Sequence, residues 1–268
     1  MSKEKSEINY ESNKNKQNKQ NRQNRQNRQN RQNRNKSNKQ NKNKSNKKKN
    51  HLLKMTKELY QRHFPQNKEV DYKKLQMSNV SLYSMDDPYF INSIVDIIKP
   101  YFHGNKKITI TDGTAHVGGA SLNFANYFNK VNSVEIDNFH CDILKNNINE
   151  NKLSDKINIY CEDYLKIMTK LEQDIIFFDP PWGGKKYYNY ELIDLYMSEN
   201  NLINIINILI KNNNSKENNK TSLIIFKIPK NYNINKFLYN LEQDKITVIK
   251  MHKKNTNYIL CNIIILEL

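Results

Sequence analysis

The residues best suited to chemistry form one turn, Asp179-Pro180-Pro181-Trp182-Gly183-Gly184, directly after an apolar run at 175–178. The Asp179 carboxylate can accept a hydrogen bond from an amine, and the Pro180 carbonyl can accept another. Trp182 offers an aromatic face on which a flat ring can stack. The two prolines restrict the backbone of the turn. We therefore expect this turn to bind the amine edge of an aromatic base.

A second motif, Asp112-Gly113-Thr114-Ala115-His116-Val117-Gly118-Gly119, lies between a predicted strand and a predicted helix. Small residues in such a turn let backbone amides approach a ligand closely. No Lys-Ser/Thr pair follows the glycines, so the motif is not a Walker loop. We interpret His116 as an exposed loop residue.

Acidic residues follow the next two predicted strands. Glu135-Ile136-Asp137 ends the second strand, where a carboxylate can accept two hydrogen bonds from a ribose diol. Glu162-Asp163 ends the third, where an acid can meet the amino edge of an adenine. Each acid taken alone is more typical of a helix N-cap or a loop carboxylate. Their order on successive strands favours a slot shaped for adenosine.

Hydrophobic periodicity predicts strands that alternate with helices from residue 107 onward. A first helix carries Leu52, Met55, Leu59 and Tyr60 and ends before Pro65. Later helices are predicted at 120–128, 139–148, 192–210 and 234–241. Strands are predicted at 107–111, 131–136, 157–161, 175–178 and 223–228, followed by a hairpin at 245–251 and 258–268.

This alternation implies right-handed crossovers and a parallel sheet covered on both faces. The hairpin has no helix between its strands, so the last strand should run antiparallel. We therefore expect a Rossmann-like α/β fold with a seven-stranded, doubly wound, mostly parallel sheet whose ligands bind at the carboxyl ends of the strands. The expected organisation is a basic tail at 1–50, an N-terminal helical extension at 51–106 and one sheet-containing domain at 107–268.

Positive charge is concentrated at the start of the 268-residue chain. The formal net charge is +17, and residues 1–50 contribute 17 basic against 3 acidic side chains. An Asn-Lys/Arg-Gln triplet repeats from Asn18 to Arg34, and no large apolar side chain lies between Tyr10 and Leu52. Such a segment is typical of disorder and suits binding to RNA phosphates by counter-ion release. A solvated low-complexity stretch without a partner is the alternative.

The remaining composition favours a soluble, intracellular monomer, with neither nucleus nor cytoplasm preferred. The first residues lack the apolar stretch of a secretory signal, and no apolar run approaches the roughly 20 residues that cross a bilayer. Cys141, Cys161 and Cys261 are widely spaced, with no Cys-x-x-Cys pair or clustered histidines beside them. We therefore expect buried reduced thiols, and neither a disulfide framework nor a metal site.

The adenosine slot and the turn that begins at Asp179 together resemble class I S-adenosylmethionine-dependent methyltransferases that modify exocyclic amines. Trp182-Gly183-Gly184 with Tyr187 after it, and Val117-Gly118-Gly119 in the first turn, look most like the trimethylguanosine synthase family. The resemblance covers residues 52–226. It implies methyl transfer from S-adenosyl-L-methionine to the guanine 2-amino group of a 7-methylguanosine RNA cap, without a metal.

The same resemblance implies roles for individual residues. The catalytic group would comprise Asp179, Pro180 and Trp182, with Trp182 stacked on the cap base and Tyr187 near the cap phosphates. Ser84, in a stretch at 83–88 similar to the family's Phe-Ser-Val-Thr-Pro, would touch the base. The cofactor would be lined by Asp112, Thr114, Ala115, Val117, Gly118, Gly119, Glu135, Ile136, Asp163 and Asp179.

The sequence departs from the family at three places. Many members have Ser at the position of Asp179, Pro at that of Lys185, and Cys-Gly at that of Ala115-His116. The acid at 179 moves the turn towards adenine amino methyltransferases of RNA or DNA, which are the alternative for the substrate. A non-catalytic RNA-binding protein that keeps the fold as a scaffold is a further alternative, against which the intact acids argue.

Overall fold

The computed structural model describes residues 50–102, 107–184, 186–215, 220–241, 245–253 and 256–268. The expected basic tail lies outside the described residues except for Asn50, and so does Lys185. Residues 50–268 form one compact unit. Within the described ranges, no helix has both the length and the apolar composition needed to cross a membrane.

The described residues before the large sheet, 50–102, contain three α-helices, two 3-10 turns and a two-stranded ribbon. The two strands of the ribbon, β1 and β2, pair antiparallel. In chain order the elements are β1 (Leu52–Leu53), α1 (Lys57–His63), a 3-10 turn (Tyr72–Lys74), β2 (Met77–Ser78), α2 (Ser81–Ser84), α3 (Pro88–Ile98) and a second 3-10 turn (Lys99–Tyr101).

The remaining elements alternate between strand and helix, as the periodicity predicts. They are β3 (Thr109–Asp112), α4 (Gly119–Phe124), β4 (Lys130–Val134), α5 (Asn138–Glu150), β5 (Ile157–Tyr160), α6 (Tyr164–Ile167), β6 (Ile175–Phe178), a 3-10 turn (Tyr187–Asn189), β7 (Tyr196–Met197), β8 (Asn200–Asn201), α7 (Leu202–Asn214), β9 (Leu223–Pro229), α8 (Ile234–Tyr239), β10 (Ile246–His252) and β11 (Ile259–Glu267).

The large sheet has seven strands in the order β10-β11-β9-β6-β3-β4-β5. β9, β6, β3, β4 and β5 pair in parallel, whereas β11 runs antiparallel to both β9 and β10. The predicted seven-stranded sheet with an antiparallel last strand is therefore confirmed. The strand order reverses next to β3, and in doubly wound sheets such a reversal is where a ligand crevice is expected, here at the carboxyl ends of β3 and β6.

The sheet is buried on both faces, which explains the unbroken apolar runs of its central strands. Phe177 packs into one core layer with Ile225, and Phe178 packs into the opposite layer with Phe226. Helix α3 covers the first layer and α7 covers the second. Because successive side chains of a strand point to opposite faces, β6 anchors both layers at once.

Two predicted helices begin later than the periodicity suggests. Leu52 lies in β1, and α1 begins only after Thr56, whose side chain accepts a hydrogen bond from the Leu59 N–H. Residues 192–201 contain the β7–β8 hairpin, and α7 begins after Asn201, whose side chain accepts from the Ile203 N–H. In both places a polar N-cap, not the start of the apolar pattern, sets the helix boundary.

The expectation of three reduced thiols is wrong for two of the cysteines. Cys141, in the first turn of α5, forms a disulfide with Cys161, which directly follows β5. Cys261 is free and buried, as expected. The two bonded cysteines are 20 residues apart in sequence, but α5 packs against β5 and brings them together. Sequence spacing alone does not reveal this proximity.

Reduction of the Cys141–Cys161 disulfide should lower the free energy of unfolding by about 2–4 kcal/mol, because the unfolded chain regains the freedom of the closed segment. Urea unfolding with and without dithiothreitol measures the change. The Cys141→Ser variant should show the same midpoint under both conditions. A wild-type midpoint that does not respond to reduction would contradict the expectation.

Candidate active site

The parallel register of β6 and β9 brings Asp179 and Lys227 together. Phe178 on β6 pairs with Phe226 on β9, so the next residue of each strand lies side by side. The Lys227 ammonium donates to Asp179 Oδ2 at 2.8 Å and to Asp86 at 2.7 Å. Asp86 comes from the loop between α2 and α3, so the N-terminal part of the domain supplies one member of this group. We call Asp86, Asp179 and Lys227 the buried triad.

The triad is largely removed from solvent. The Lys227 side chain is 8% exposed, and the two carboxylate side chains are each 20% exposed. Burial raises the pKa of Asp179 to about 6, although Lys227 opposes the shift. Burial also disfavours the charged form of Lys227, but the two carboxylates outweigh it and raise the pKa of Lys227 well above its usual range. Two carboxylates and one ammonium give the triad a formal net charge of −1.

The Trp182 indole lies beside the triad and is half-buried. It packs against the core layer that contains Phe178, and its ring meets Tyr187 edge to face at 5.2 Å between centroids. The Lys227 ammonium lies 4.9 Å from the centroid of the indole. The indole N–H is close enough to favour the charged form of Asp179, but it makes no hydrogen bond of ordinary length and angle.

The turn at Asp179 is joined directly to the turn after β3. The Asp179 N–H donates to the Thr114 hydroxyl at 2.8 Å. Asp112 is fully buried and accepts from the Ser121 hydroxyl at 2.7 Å and from the Thr114 N–H at 3.3 Å. Burial raises the pKa of Asp112 to about 7, and the nearby charges of Asp179 and Glu135 act in the same direction. Acids from the ends of β3, β4 and β6 thus lie close together.

The small residues of the turn after β3 are required mainly by packing within the protein. Any side chain at Gly113 would overlap the Phe178 ring. Gly118 has a φ of +97°, in the left-handed region, and a side chain there would approach Leu144. A side chain at Gly119 would meet the terminal methyl of Met85. Ala115 and Val117, expected to line a cofactor, are both buried.

Glu135 shapes the loop that follows β4. Its carboxylate accepts from the His116 N–H at 2.7 Å and from the Asp137 N–H at 2.8 Å. Burial raises the pKa of Glu135. Ile136, between the two acids, is 60% exposed. A ribose diol would therefore have to use the remaining lone pairs of Glu135, beside an apolar side chain that faces solvent.

The interpretation of His116 as an exposed loop residue is wrong. Its backbone has a φ of +50°, and its ring lies 4.3 Å from that of His140. Both ring nitrogens are buried and have no hydrogen-bond partner within the described residues. Burial, with a smaller contribution from His140, lowers the pKa of His116 to about 3, so the ring is neutral.

Two other candidates lie at the margin of the site. Asp163 is the N-cap of α6, where its side chain accepts from the Leu165 N–H. It therefore occupies the capping position that an isolated acid favours. Ser84 is exposed, and its hydroxyl donates back to the Val80 carbonyl at 3.1 Å. The structure does not bring Ser84 into contact with the triad, although Asp86, two residues later, belongs to it.

No three His, Cys, Asp or Glu side chains within the described ranges converge on a point where they could hold a metal ion.

A model of the RNA cap guanine-N2 methyltransferase family matches residues 108–265, more than half of the chain. The chain belongs to this family. The match contains both turns of the site and the whole seven-stranded sheet except the last two residues of β11.

A relative from Acanthamoeba polyphaga mimivirus, uncharacterized protein L320, is 34% identical over an alignment of 161 positions that covers 55% of this chain. The aligned part spans 59% of that relative, less than two thirds of its length.

Solved structures share the fold at low sequence identity. A protein from Porphyromonas gingivalis W83 that is assigned as a methyltransferase has a TM-score of 0.52 and 14% identity, covering 74% of this chain and 45% of its own. The delta-N METTL16 MTase domain has a TM-score of 0.50 and 11% identity, covering 68% of this chain and 84% of its own. The fold is thus the Rossmann-like fold of class I methyltransferases.

Sequence reasoning missed Lys227 and the part played by Asp86. The available signal was a single lysine within 223–229, where the other six residues of the strand are apolar. A charged residue in a strand buried on both faces has to meet an opposite charge, because an unpaired buried ion is very costly. The fully buried β9 therefore required an acidic partner for Lys227.

Gly113→Ala should lower the free energy of unfolding by about 1–3 kcal/mol, because the added methyl overlaps a rigid ring that anchors one core layer. Gly119→Ala is the matched control, since only the flexible end of Met85 has to move. Urea unfolding of both variants measures the difference. Equal losses in the two variants would show that Phe178 does not constrain this position.

Proposed function

We propose that this protein transfers methyl groups from S-adenosyl-L-methionine to the exocyclic 2-amino group of a 7-methylguanosine RNA cap, giving di- or trimethylguanosine caps. The observation that carries the proposal is the hydrogen bond between the Asp179 N–H and the Thr114 hydroxyl. It joins the turn that would bind the amine to the turn that would face the cofactor. Membership of the RNA cap guanine-N2 methyltransferase family supports the same function.

The residues of the crevice fit this cofactor in charge and position. Burial raises the pKa of Asp112, and the charges of Asp179 and Glu135 lie close enough to add to that rise. Three acids so close together favour a cationic ligand. Thr114, Glu135, Ile136 and Asp163 would form the binding surface. The buried residues Asp112, Ala115, Val117, Gly118 and Gly119 would shape the turn beneath it. Bound there, S-adenosylmethionine supplies an electrophilic methyl group on a positively charged sulfur.

The turn after β6 would hold the methyl acceptor. Asp179 and the Pro180 carbonyl would accept hydrogen bonds from the two N–H groups of the amine and so orient its lone pair. Such positioning lowers a barrier by roughly 7–11 kcal/mol in favourable cases. The nitrogen would gain positive charge as the new N–C bond forms and the bond from the methyl carbon to sulfur breaks, with S-adenosylhomocysteine as the neutral leaving group. Asp179, charged at neutral pH, would stabilise that charge and accept the proton that the nitrogen loses.

The charge around Trp182 favours a 7-methylguanine over a neutral base. The buried triad carries a net charge of about −1 beside the indole, because two carboxylates face one ammonium. A cationic 7-methylguanine would offset that charge, and it also gains roughly 1–2 kcal/mol on an aromatic face. The alternative is an adenine N6 methyltransferase of RNA or DNA, which is favoured by the acid at 179.

Contacts outside the base would involve the phosphates. Tyr187 would lie near the cap phosphates. Lys230 is close enough to affect the pKa of Tyr187, and its ammonium lies 4.6 Å from the Tyr258 ring centroid, so it would supply charge in the same region. The basic residues at 1–50 would bind phosphates further along the RNA.

Mass spectrometry of a 7-methylguanosine cap dinucleotide after incubation with enzyme and S-adenosylmethionine tests the proposal. The expected product carries one or two additional methyl groups on the guanine 2-amino nitrogen. Adenine-containing oligonucleotides are the parallel substrate. Methylation of adenine with an unchanged cap would replace the proposal with its alternative, and methylation of neither substrate would overturn both.

Asp179→Ala should abolish methyl transfer while S-adenosylhomocysteine affinity stays within about threefold, because the contact to Thr114 uses the Asp179 backbone. Single-turnover kinetics and calorimetry measure the two quantities. Asp96→Ala, which removes an exposed acid paired with Lys99, is the control and should retain activity. Parallel loss of activity and cofactor binding in Asp179→Ala would contradict the assigned role.

Trp182→Ala should raise the KM for 7-methylguanosine diphosphate by roughly 10–100-fold, the loss expected from one base stacking on an aromatic ring. It should also reduce the preference for 7-methylated over unmethylated guanine. Initial rates on the two nucleotides measure both effects. Tyr239→Ala, at a highly exposed position on α8, is the aromatic control. An unchanged preference in Trp182→Ala would exclude stacking on this indole.

A further inference from the structure

We propose that Lys227 and Asp86 are positioning residues that aim one oxygen of Asp179 at the acceptor amine, and that Lys227 also keeps Asp179 ionised against the opposing charge of Asp86. The inference rests on the proposed function, because it concerns the residue that would hold the methyl acceptor. It adds a structural reason for the acid at 179: Asp179 belongs to a three-member ionic group and does not act alone.

The position of Lys227 is unusual for a lysine. All seven residues of β9 are buried, and Lys227 is the charged one among them. A lysine at such a place loses its hydration and is retained only when opposite charges surround it. Its ammonium has two carboxylate partners at 2.7 and 2.8 Å, and the Phe90 and Trp182 rings lie 5.5 and 4.9 Å away. Carboxylates and aromatic rings thus enclose the cation.

The two carboxylate oxygens of Asp179 would have different partners. Lys227 bonds Oδ2, so an acceptor amine would meet Oδ1. The Asp179 N–H is fixed by the Thr114 hydroxyl, and the preceding Phe178 is fixed between Tyr164 and Phe226. With its backbone and one oxygen both held, the carboxylate has little freedom to rotate. An acceptor amine would therefore meet a preorganised oxygen.

Asp86 balances the pair from outside the sheet. It reaches the Lys227 ammonium from the loop before α3, in which Asp87 caps the helix by accepting from the Phe90 N–H at 2.8 Å. The adjacent Met85 lies against Gly119 of the turn after β3. Residues 85–87 therefore join α3, β9 and the turn after β3. The region before the sheet is thus part of the site.

Several titratable groups face the triad and have to be considered together. Asp112 lies on the β3 side, Cys261 on β11 and Tyr187 beyond Trp182, and His63 on α1 faces Asp86. Burial raises the pKa of Asp179, Lys227 lowers it, and Asp86 raises it. Because Lys227 and Asp86 act with opposite signs, their removal should shift the titration of Asp179 in opposite directions.

The test compares Lys227→Met with Asp86→Asn in the full-length chain. The pH profile of kcat for cap methylation should have an acid limb near pH 6 in the wild type. In Lys227→Met the limb should move upward by about one pH unit or more, so the rate at pH 6 falls about fivefold or more relative to the wild type and recovers at pH 9. In Asp86→Asn the limb should move downward. Lys227→Arg should keep the wild-type limb.

A second readout does not depend on the substrate. Trp182 is the chain's one tryptophan and lies beside Asp179, so its fluorescence can report the same titration. The transition should shift upward in Lys227→Met, shift downward in Asp86→Asn and disappear in Asp179→Asn. Lys236→Met, which removes an exposed lysine paired with Asp194, is the control and should leave the transition in place.

The outcomes separate the two proposals. A wild-type enzyme that does not methylate the cap overturns the proposed function, while opposite shifts in fluorescence would still support the triad. An active wild-type enzyme whose acid limb is unmoved in both variants overturns the triad inference alone. Equal loss of activity at every pH in both variants, with no shift in fluorescence, would also overturn it, because Lys227 would then serve only the fold.

Discussion

The site depends on a buried ion pair that two neighbouring strands cannot avoid making. The parallel register of β6 and β9 brings Asp179 and Lys227 side by side, where the Lys227 side chain is 8% exposed and that of Asp179 is 20% exposed. Each charge would be very costly there without the other. Asp86 completes the group from the loop before α3. The pairing of these three charges therefore constrains the sheet, the loop before α3 and the turn that contains Trp182.

A second constraint comes from the crowded ends of β3 and β6. Gly113 accommodates the Phe178 ring, and Thr114 holds the backbone of the next residue, Asp179. Phe178 is in turn fixed by the Phe226 and Tyr164 rings. The two turns that bring acceptor and cofactor together in the proposed function are thus coupled through ordinary core packing, without any ligand. The small residues after β3 are required by this packing.

The sheet could be predicted because the sequence features that define its strands are local. The site could be predicted only in part. Apolar runs bounded by turn residues locate every strand of the large sheet, and the helix-free hairpin gives the antiparallel β11. The start of α7 was missed because the Asn201 cap overrides an apolar pattern that begins earlier.

The partners of Lys227 and the Cys141–Cys161 bond were missed for another reason. Both depend on residues that meet only after folding, and one sequence does not show which distant residues will pair. His116 was misjudged because its burial depends on the distant His140.

The Cys141–Cys161 bond has a dynamic consequence for the crevice. It ties the start of α5, which follows the loop of Glu135 and Ile136, to the residue just before Glu162 and Asp163. The loops after β4 and β5 are therefore fastened to each other by a covalent link at their bases. Local opening of one loop has to carry the other with it, so their backbone amides should exchange with solvent as one cooperative unit. When the disulfide is formed, the loops after β4 and β5 should open and close together. When it is reduced, each loop should fluctuate independently.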